Sequence, residues 1–170
     1  MDAYLAVVSK RDERRYAGRP IPVDVARRIL EAGRVAGSSR NRQLRTFVVV
    51  ADRARVERLA QTVYAPDNVL GAALVVAIAV RPVGPAEFDA GRAAQNMMLA
   101  AWDEGVVSCP NGMPDAEAAA GALGLDEGVL PLNIPSFGYP KRDLAPDSKT
   151  AGEWSAEANR KSLGDIVKRA

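Results

Sequence analysis

The 170-residue chain contains no histidine and a single cysteine, Cys109. Without histidine there is no Ser-His-Asp triad, no Cys-His pair and no His-ligated metal. One cysteine rules out an internal disulfide and suits a reducing compartment, so a cytoplasmic location is expected. The N-terminus lacks the apolar core of a signal peptide. The longest apolar run, "GAALVVAIAV" over Gly71–Val80, is too short to cross a membrane, which points to a soluble protein with no membrane partner. No GxxxxGK[ST] phosphate loop is present, and no GxGxxG stretch follows a strand. No carboxylate cluster has metal-ligand spacing, so no metal is expected. There is no large excess of either charge. The 23 basic and 21 acidic residues leave +2, whereas a nucleic-acid binder usually concentrates a larger basic excess on one face.

What is present fits one compact domain over residues 1–170, long enough to bury a core. Its charge is uneven: residues 1–60 hold 14 basic and 7 acidic groups, and residues 61–170 hold 9 and 14. The basic half opens with "SKRDERRYAGRPIP", Ser9–Pro22, in which five of fourteen residues are Lys or Arg. This stretch reads as a solvated face, a nucleic-acid patch or a cradle for one anion.

Hydrophobic spacing predicts the elements. Ala3–Ser9 forms a short helix. A second helix covers "PIPVDVARRILEAGRVA", with Pro22 in its first turn and Val25, Ile29, Ala32 or Gly33, and Ala36 on one face. "GSSRNRQLR", Gly37–Arg45, is a polar loop. "TFVVVA", Thr46–Ala51, reads as a buried strand, and Asp52 caps a helix running to Val63. "YAPDNVLG" is a turn, followed by a second buried strand over "AALVVAIAV". Glu87–Glu104 is a long, Ala- and Met-rich helix. A loop containing a short strand, another helix at "DAEAAAGALGL" and an extended segment at "PLNIPSFGYP" follow. Pro135 places that last segment at a sheet edge. Residues 141–159 read as loose, and "RKSLGDIVKRA" closes the chain. The fold class is α+β, a small central mixed or antiparallel sheet flanked by helices.

Four stretches carry candidate chemistry, each with a bland counterpart. The basic cluster offers planar guanidinium forks suited to phosphate, or it is simply solvated. In "SSRNRQ", Asn41 and Gln43 can read the edge of a flat heterocycle, or they are ordinary turn residues. "RAAQNMMLAAWDEG" is more simply core than cofactor box. "SCPNG" reads as a tight turn around an exposed Asn111 whose backbone can approach a ligand. Cys109 reads as packed, since no histidine activates it.

Taken in order, these pieces resemble the FMN-dependent nitroreductase family. "KRDERRY" resembles its opening Arg-Arg-Ser-x-x-Arg segment. "PIPVDVARRILEAGRVAGSSRNRQLR" resembles its first long helix and the loop after it. "AAQNMMLAAWDEG", "SCPNG", "FGYP" and "RKSLGDIV" resemble later motifs. The resemblance implies a nitroreductase-like fold and a homodimer with FMN at the subunit interface, so that one site draws on both chains. It implies that Lys10, Arg11, Arg14 and Arg160 serve the FMN phosphate, with Arg14 also a candidate charge near the flavin N1. It implies that Ser38, Asn41 and Gln43 contact the flavin or its ribityl chain, and that Pro110, Asn111 and Gly112 lie near the reactive edge of the ring. NADH or NADPH would be the donor and a nitroaromatic, quinone or similar small molecule the acceptor. The alternative is a non-catalytic flavin- or deazaflavin-binding protein. The chain departs from the pattern at Asp12, where the family has Ser, at Gly37, where it has Pro, and at Leu44-Arg45, where it has Pro-Trp. The last change either lines the substrate pocket with a cation or leaves Arg45 facing solvent.

Overall fold

The computed structural model describes residues 1–169. The described residues fall into two compact units, residues 11–144 and residues 1–10 with 145–169.

The larger unit is built on a four-stranded antiparallel sheet of β1 (Arg45–Val49), β2 (Leu74–Val80), β3 (Val107–Asn111) and β4 (Leu130–Gly138), in spatial order β1-β2-β4-β3. β2 is apolar at every position because both of its faces are covered. Val76, Ile78 and Val80 point to one core with Val25, Ile29, Ala90, Met97 and Phe137. Val75 and Ala77 point to the other with Val56, Leu59, Val69, Leu123 and Ile134. A strand buried on both sides loses the alternation that a half-exposed one keeps. The first core lies beneath α2 (Val23–Arg34) and α5 (Ala86–Asp103). The second lies beneath α3 (Arg53–Ala60), the short α4 (Pro66–Leu70) and α6 (Ala116–Leu123).

α2 and α5 approach closely at Gly33. A Cβ there would lie 2.2 Å from Met97 Cε and 2.9 Å from its Cγ, so the glycine makes room for the methionine. α5 is covered largely by its own chain, with Met97 and Ala101 fully buried. Its apolar composition is therefore explained within one molecule.

Three expectations change. Thr46–Ala51 does not give a buried strand: β1 lies at the sheet edge, Val49 is exposed, and only Val50, just beyond the strand, is buried. β4, expected at an edge, is interior. Its prolines are accommodated instead by a register shift between Ile78 and Ala79, whose partner is Pro131, and by Pro135 standing opposite Pro110. "YAPDNVLG" contains α4 rather than a turn alone.

In the smaller unit are α1 (Ala3–Ser9), α7 (Ala151–Ala156) and α8 (Leu163–Ile166), with a 3-10 turn at Pro146–Ser148. α7 and α8 each begin with a capping box, Thr150 with Glu153 and Ser162 with Asp165. Residues 141–159 are thus more regular than expected. Among the described residues no helix is long and apolar enough to cross a membrane.

Candidate functional site

The basic segment is laid along the outer edge of β3. Asp12 forms a parallel bridge with Ser108, and Glu13 N–H donates to Ser108 O at 3.2 Å. An edge strand otherwise presents unpaired main-chain groups, and this segment covers one end of it. Glu13 then folds back. Its Oε1 accepts from the N–H groups of Arg14 and Arg15 at 2.9 and 3.1 Å, and Arg142 lies 3.3 Å from Oε2. Burial pushes the Glu13 carboxyl up, but those two N–H groups and Arg142 outweigh it and hold it below its ordinary value.

Tyr16 fixes the far end. It is buried, and its hydroxyl lies 2.9 Å from Ser136 Oγ and 3.2 Å from Ser136 O. Its ring rests on Gly138, where a Cβ would lie 2.7 Å from Cδ1. This contact explains the glycine of "FGYP": no larger residue fits under the ring. Burial raises the phenol well above its ordinary value, so Tyr16 stays neutral.

From Tyr16 a buried polar network runs to the end of β3. Asn111 Nδ2 donates to Ser136 Oγ at 3.0 Å, Ile134 O at 2.7 Å and Cys109 O at 3.2 Å. Its Oδ1 accepts from Asn68 Nδ2 at 2.9 Å. Asn68 also faces Cys109 Sγ at 3.8 Å. Asn111, expected exposed on a turn, is therefore the last residue of β3, with its side-chain amide fully engaged inside. Only its main chain is left for a ligand.

Above this network is a concavity of about 330 Å³ lined by Arg14, Tyr64, Ala65, Asn68 and Cys109–Gly112. Arg14 lines it beside Cys109, and hydrogen bonding to the Cys109 sulfur raises the guanidinium above its ordinary value. The ring of Tyr64 stands over Gly112, and Tyr64 N–H donates to Gly112 O at 3.2 Å. The pocket thus joins a cation, an exposed aromatic ring and the free end of an edge strand. That set suits a flat, electron-poor or anionic ligand.

Of the sequence-predicted residues, the structure brings Arg14, Pro110, Asn111 and Gly112 to this one pocket. Arg11, half-buried, immediately precedes the bridge at Asp12. Ser38, Asn41 and Gln43 lie on a separate loop and do not line it. Lys10 and Arg160 belong to the smaller unit, where Arg160 Nη1 donates to Ala158 O at 2.9 Å. Tyr16, Tyr64, Asn68 and Ser136 escaped the sequence reading. Asn68 carried the one usable signal, a lone amide in the apolar approach to β2.

Arg45 does not simply face solvent. Its Nη2 donates to Gly33 O at 3.4 Å, to Arg34 O at 3.2 Å and to Ala36 O, closing the C-terminal end of α2. The carbonyls that a helix end leaves without partners attract a cation, so Arg45 neither lines this pocket nor simply faces solvent.

The fold and pocket define a class: an antiparallel four-stranded α+β protein with an arginine-lined concavity at its edge strand. Comparison with known proteins narrows it. Residues 66–139 match the model of the nitroreductase family. A protein of Archaeoglobus fulgidus named "Putative NADH dehydrogenase/NAD(P)H nitroreductase" is 27% identical over 145 residues, 79% of this chain and 83% of its own. A "putative nitroreductase in complex with FMN" from Desulfovibrio desulfuricans superposes with TM-score 0.83 at 25% identity, covering 100% of this chain and 98% of its own. A Bacteroides thetaiotaomicron protein with the same name as the archaeal relative gives TM-score 0.78 at 25% identity, over 88% and 94% of the two chains. The chain is thus similar to nitroreductase-family proteins, in sequence over residues 66–139 and in fold over nearly its whole length.

Proposed function

We propose that this protein is a flavin-dependent oxidoreductase that binds FMN and passes electrons from NADH or NADPH to a nitroaromatic, quinone or similar small acceptor. The observation that carries the reading is the pocket on β3, where Arg14 faces the Cys109–Gly112 segment. The residues present fit FMN. The ring is flat, and the concavity sets an aromatic residue against an open strand end. Reduced flavin is anionic, and Arg14 supplies a positive charge at the lining of the pocket. When bound, FMN supplies two-electron transfer between nicotinamide and acceptor, which needs no protein nucleophile and suits a chain without histidine.

The protein's own part is placement and charge. Arg14 holds a cation beside the ring position, where it favours the reduced state. Arg11, on the same segment, serves the phosphate. Pro110, Asn111 and Gly112 meet the ring through main-chain and apolar surface. The Tyr16–Ser136–Asn111–Asn68 network keeps β3 aligned with the basic segment. Ser38, Asn41 and Gln43 lie apart from this pocket, which fits a homodimer in which the loop of one copy completes the site of the other. The family resemblance adds Lys10 and Arg160 as phosphate contacts and a cytoplasmic setting.

The test is spectroscopic. Purified protein reconstituted with FMN is expected to show a flavin spectrum that bleaches with NADH or NADPH and recovers on adding a quinone or nitroaromatic. A chain that binds FMN but is inert to both nicotinamides would be a flavin-binding protein. A chain that binds no flavin would refute the reading.

A further inference from the structure

The loop between α2 and β1 carries three non-glycine residues in the left-handed region, Arg40 (φ 51°), Asn41 (φ 53°) and Gln43 (φ 53°). Each such residue costs energy and persists only where its surroundings over-determine it. Part of that determination is internal. Gln43 N–H donates to Ser38 Oγ at 3.0 Å, Gln43 Nε2 donates to Asn41 Oδ1 at 3.2 Å, and Asn41 N–H donates to Ser38 O at 3.0 Å. These bonds use one side of each polar side chain. They leave the Ser38 hydroxyl proton, Asn41 Nδ2 and Gln43 Oε1 unused, so two donors and an acceptor are left for a ligand.

The rest is external, and two arginines supply it at the loop's two ends. At the exit, Arg45 bonds back to Gly33, Arg34 and Ala36, tying the first residue of β1 to the end of α2. At the entry, the guanidinium of Arg92 lies flat on Gly37. A Cβ at Gly37 would meet Nη2 at 2.7 Å, Nη1 at 3.0 Å and Cζ at 3.1 Å, so any larger residue would push the guanidinium off this seat. Between them Asp89, one turn before Arg92 on α5, accepts from Ser39 N–H at 2.9 Å. Gly37 and Arg45 are two of the places where the chain departs from the family pattern of Pro and Trp. Both departures occur where an arginine now performs the anchoring.

We infer that Arg45 and Arg92 are positioning residues that clamp the Gly37–Leu44 loop in the shape that presents Ser38, Asn41 and Gln43 to the flavin. The inference rests on the FMN reading and deepens it. Proline limits a loop through its ring, and an aromatic residue limits it by packing. Here a guanidinium seated on glycine and a guanidinium on helix carbonyls do the same work by hydrogen bonding and contact.

The test combines FMN titration by flavin fluorescence, thermal melting of the flavin-free protein and hydrogen exchange over residues 38–43. The variants are Arg45→Met, Arg45→Lys, Arg92→Ala, Ser38→Ala and the Arg45→Met/Ser38→Ala double. Arg45→Met and Arg92→Ala should each speed exchange in the loop and raise the FMN Kd about tenfold, with kcat at saturating FMN little changed. Arg45→Lys should recover part of the affinity. The double variant should bind no more weakly than the worse single one, because a loop already released gains nothing from Ser38. The clamp is overturned if log Kd losses in the double variant simply add, or if Arg45→Met lowers the melting temperature while Kd stays put. Arg92→Ala, at an exposed site, keeps the question open to measurement should Arg45→Met fail to fold. A wild-type chain that binds FMN with additive variants sinks the clamp alone, whereas one that binds no flavin sinks the function beneath it as well.

Discussion

The Tyr16 hydroxyl offers the sharpest quantitative test of the network under the pocket. Tyr16→Phe removes one oxygen, 2.9 Å from Ser136 Oγ and 3.2 Å from Ser136 O. Ser136 Oγ is not stranded by the loss, since it still accepts from Asn111 Nδ2 at 3.0 Å and donates to Cys109 O at 3.2 Å. The cost is therefore one net hydrogen bond, about 1 kcal/mol, or roughly 2–4 °C in Tm for a protein of this size. Ser136→Ala removes the hub itself. Asn111 loses an acceptor and Cys109 O a donor, and Tyr16 falls back on its longer contact to Ser136 O, so about 1–3 kcal/mol should go. Denaturant melts followed by circular dichroism should place Ser136→Ala clearly below Tyr16→Phe. The reverse order, or a Tyr16→Phe loss above about 3 kcal/mol, would mean that the hydroxyl holds the segment by something other than these bonds. A pH signature accompanies it. Burial raises the phenol above its ordinary value of 10.0, so folding favours the protonated form. That stability is fully present below about pH 10 and drains away as pH climbs past it, and Tyr16→Phe should lack this share of the alkaline decline.

Glu13→Gln should flatten the acid limb. The carboxyl is held below its ordinary 4.5, so its contribution is present above that value and lost as pH falls below it, and stability curves of variant and wild type should converge in acid. Gly33→Ala should destabilise by about 1–3 kcal/mol in the same melts, because the new methyl collides with Met97 inside a filled core and outweighs the gain in helix propensity. Arg11→Ala and Arg160→Ala should weaken FMN roughly ten- to a hundredfold and riboflavin far less, while Arg14→Ala should weaken both flavins alike. Equal losses of both ligands at Arg11 would assign it to folding rather than to phosphate. Arg45→Trp restores the family's usual residue but deletes the cap on α2, so it should loosen the loop and weaken FMN without changing the ratio of kcat/KM between anionic and neutral acceptors.

Elements were legible where one local rule decided them. α1 begins at Ala3 because Asp2 accepts from the N–H groups of Tyr4 and Leu5, and α3 follows Asp52 for the same reason. β2 announced itself as an unbroken apolar run. The order of strands was not legible, because it depends on which faces find partners. β1 and β2 look equally apolar in sequence, yet β1 is an edge strand and β2 is buried on both sides. β4 looked like an edge strand because prolines remove ladder donors. A register shift and a facing proline allow it an interior place, and nothing within "PLNIPSFGYP" encodes either.

The site shows the same division. Arg14 and the "SCPNG" segment could be named from motifs, because each lies at one end of a short stretch with strong local character. The residues joining them could not, since the links span 120 positions from Tyr16 to Ser136 and 43 from Asn68 to Asn111. The roles of Asn111 and Arg45 were misread for a common reason. Each is a polar residue in a polar-looking stretch, and such a stretch is ordinarily taken to face water. Both instead spend their donors on backbone carbonyls, Asn111 on Cys109 and Ile134 and Arg45 on the end of α2. A buried or terminal carbonyl is a stronger claim on a donor than solvent when the alternative leaves it unpaired. Polar residues that flank a strand end can therefore be the ones that shape it, leaving its main chain rather than their own side chains open toward the pocket.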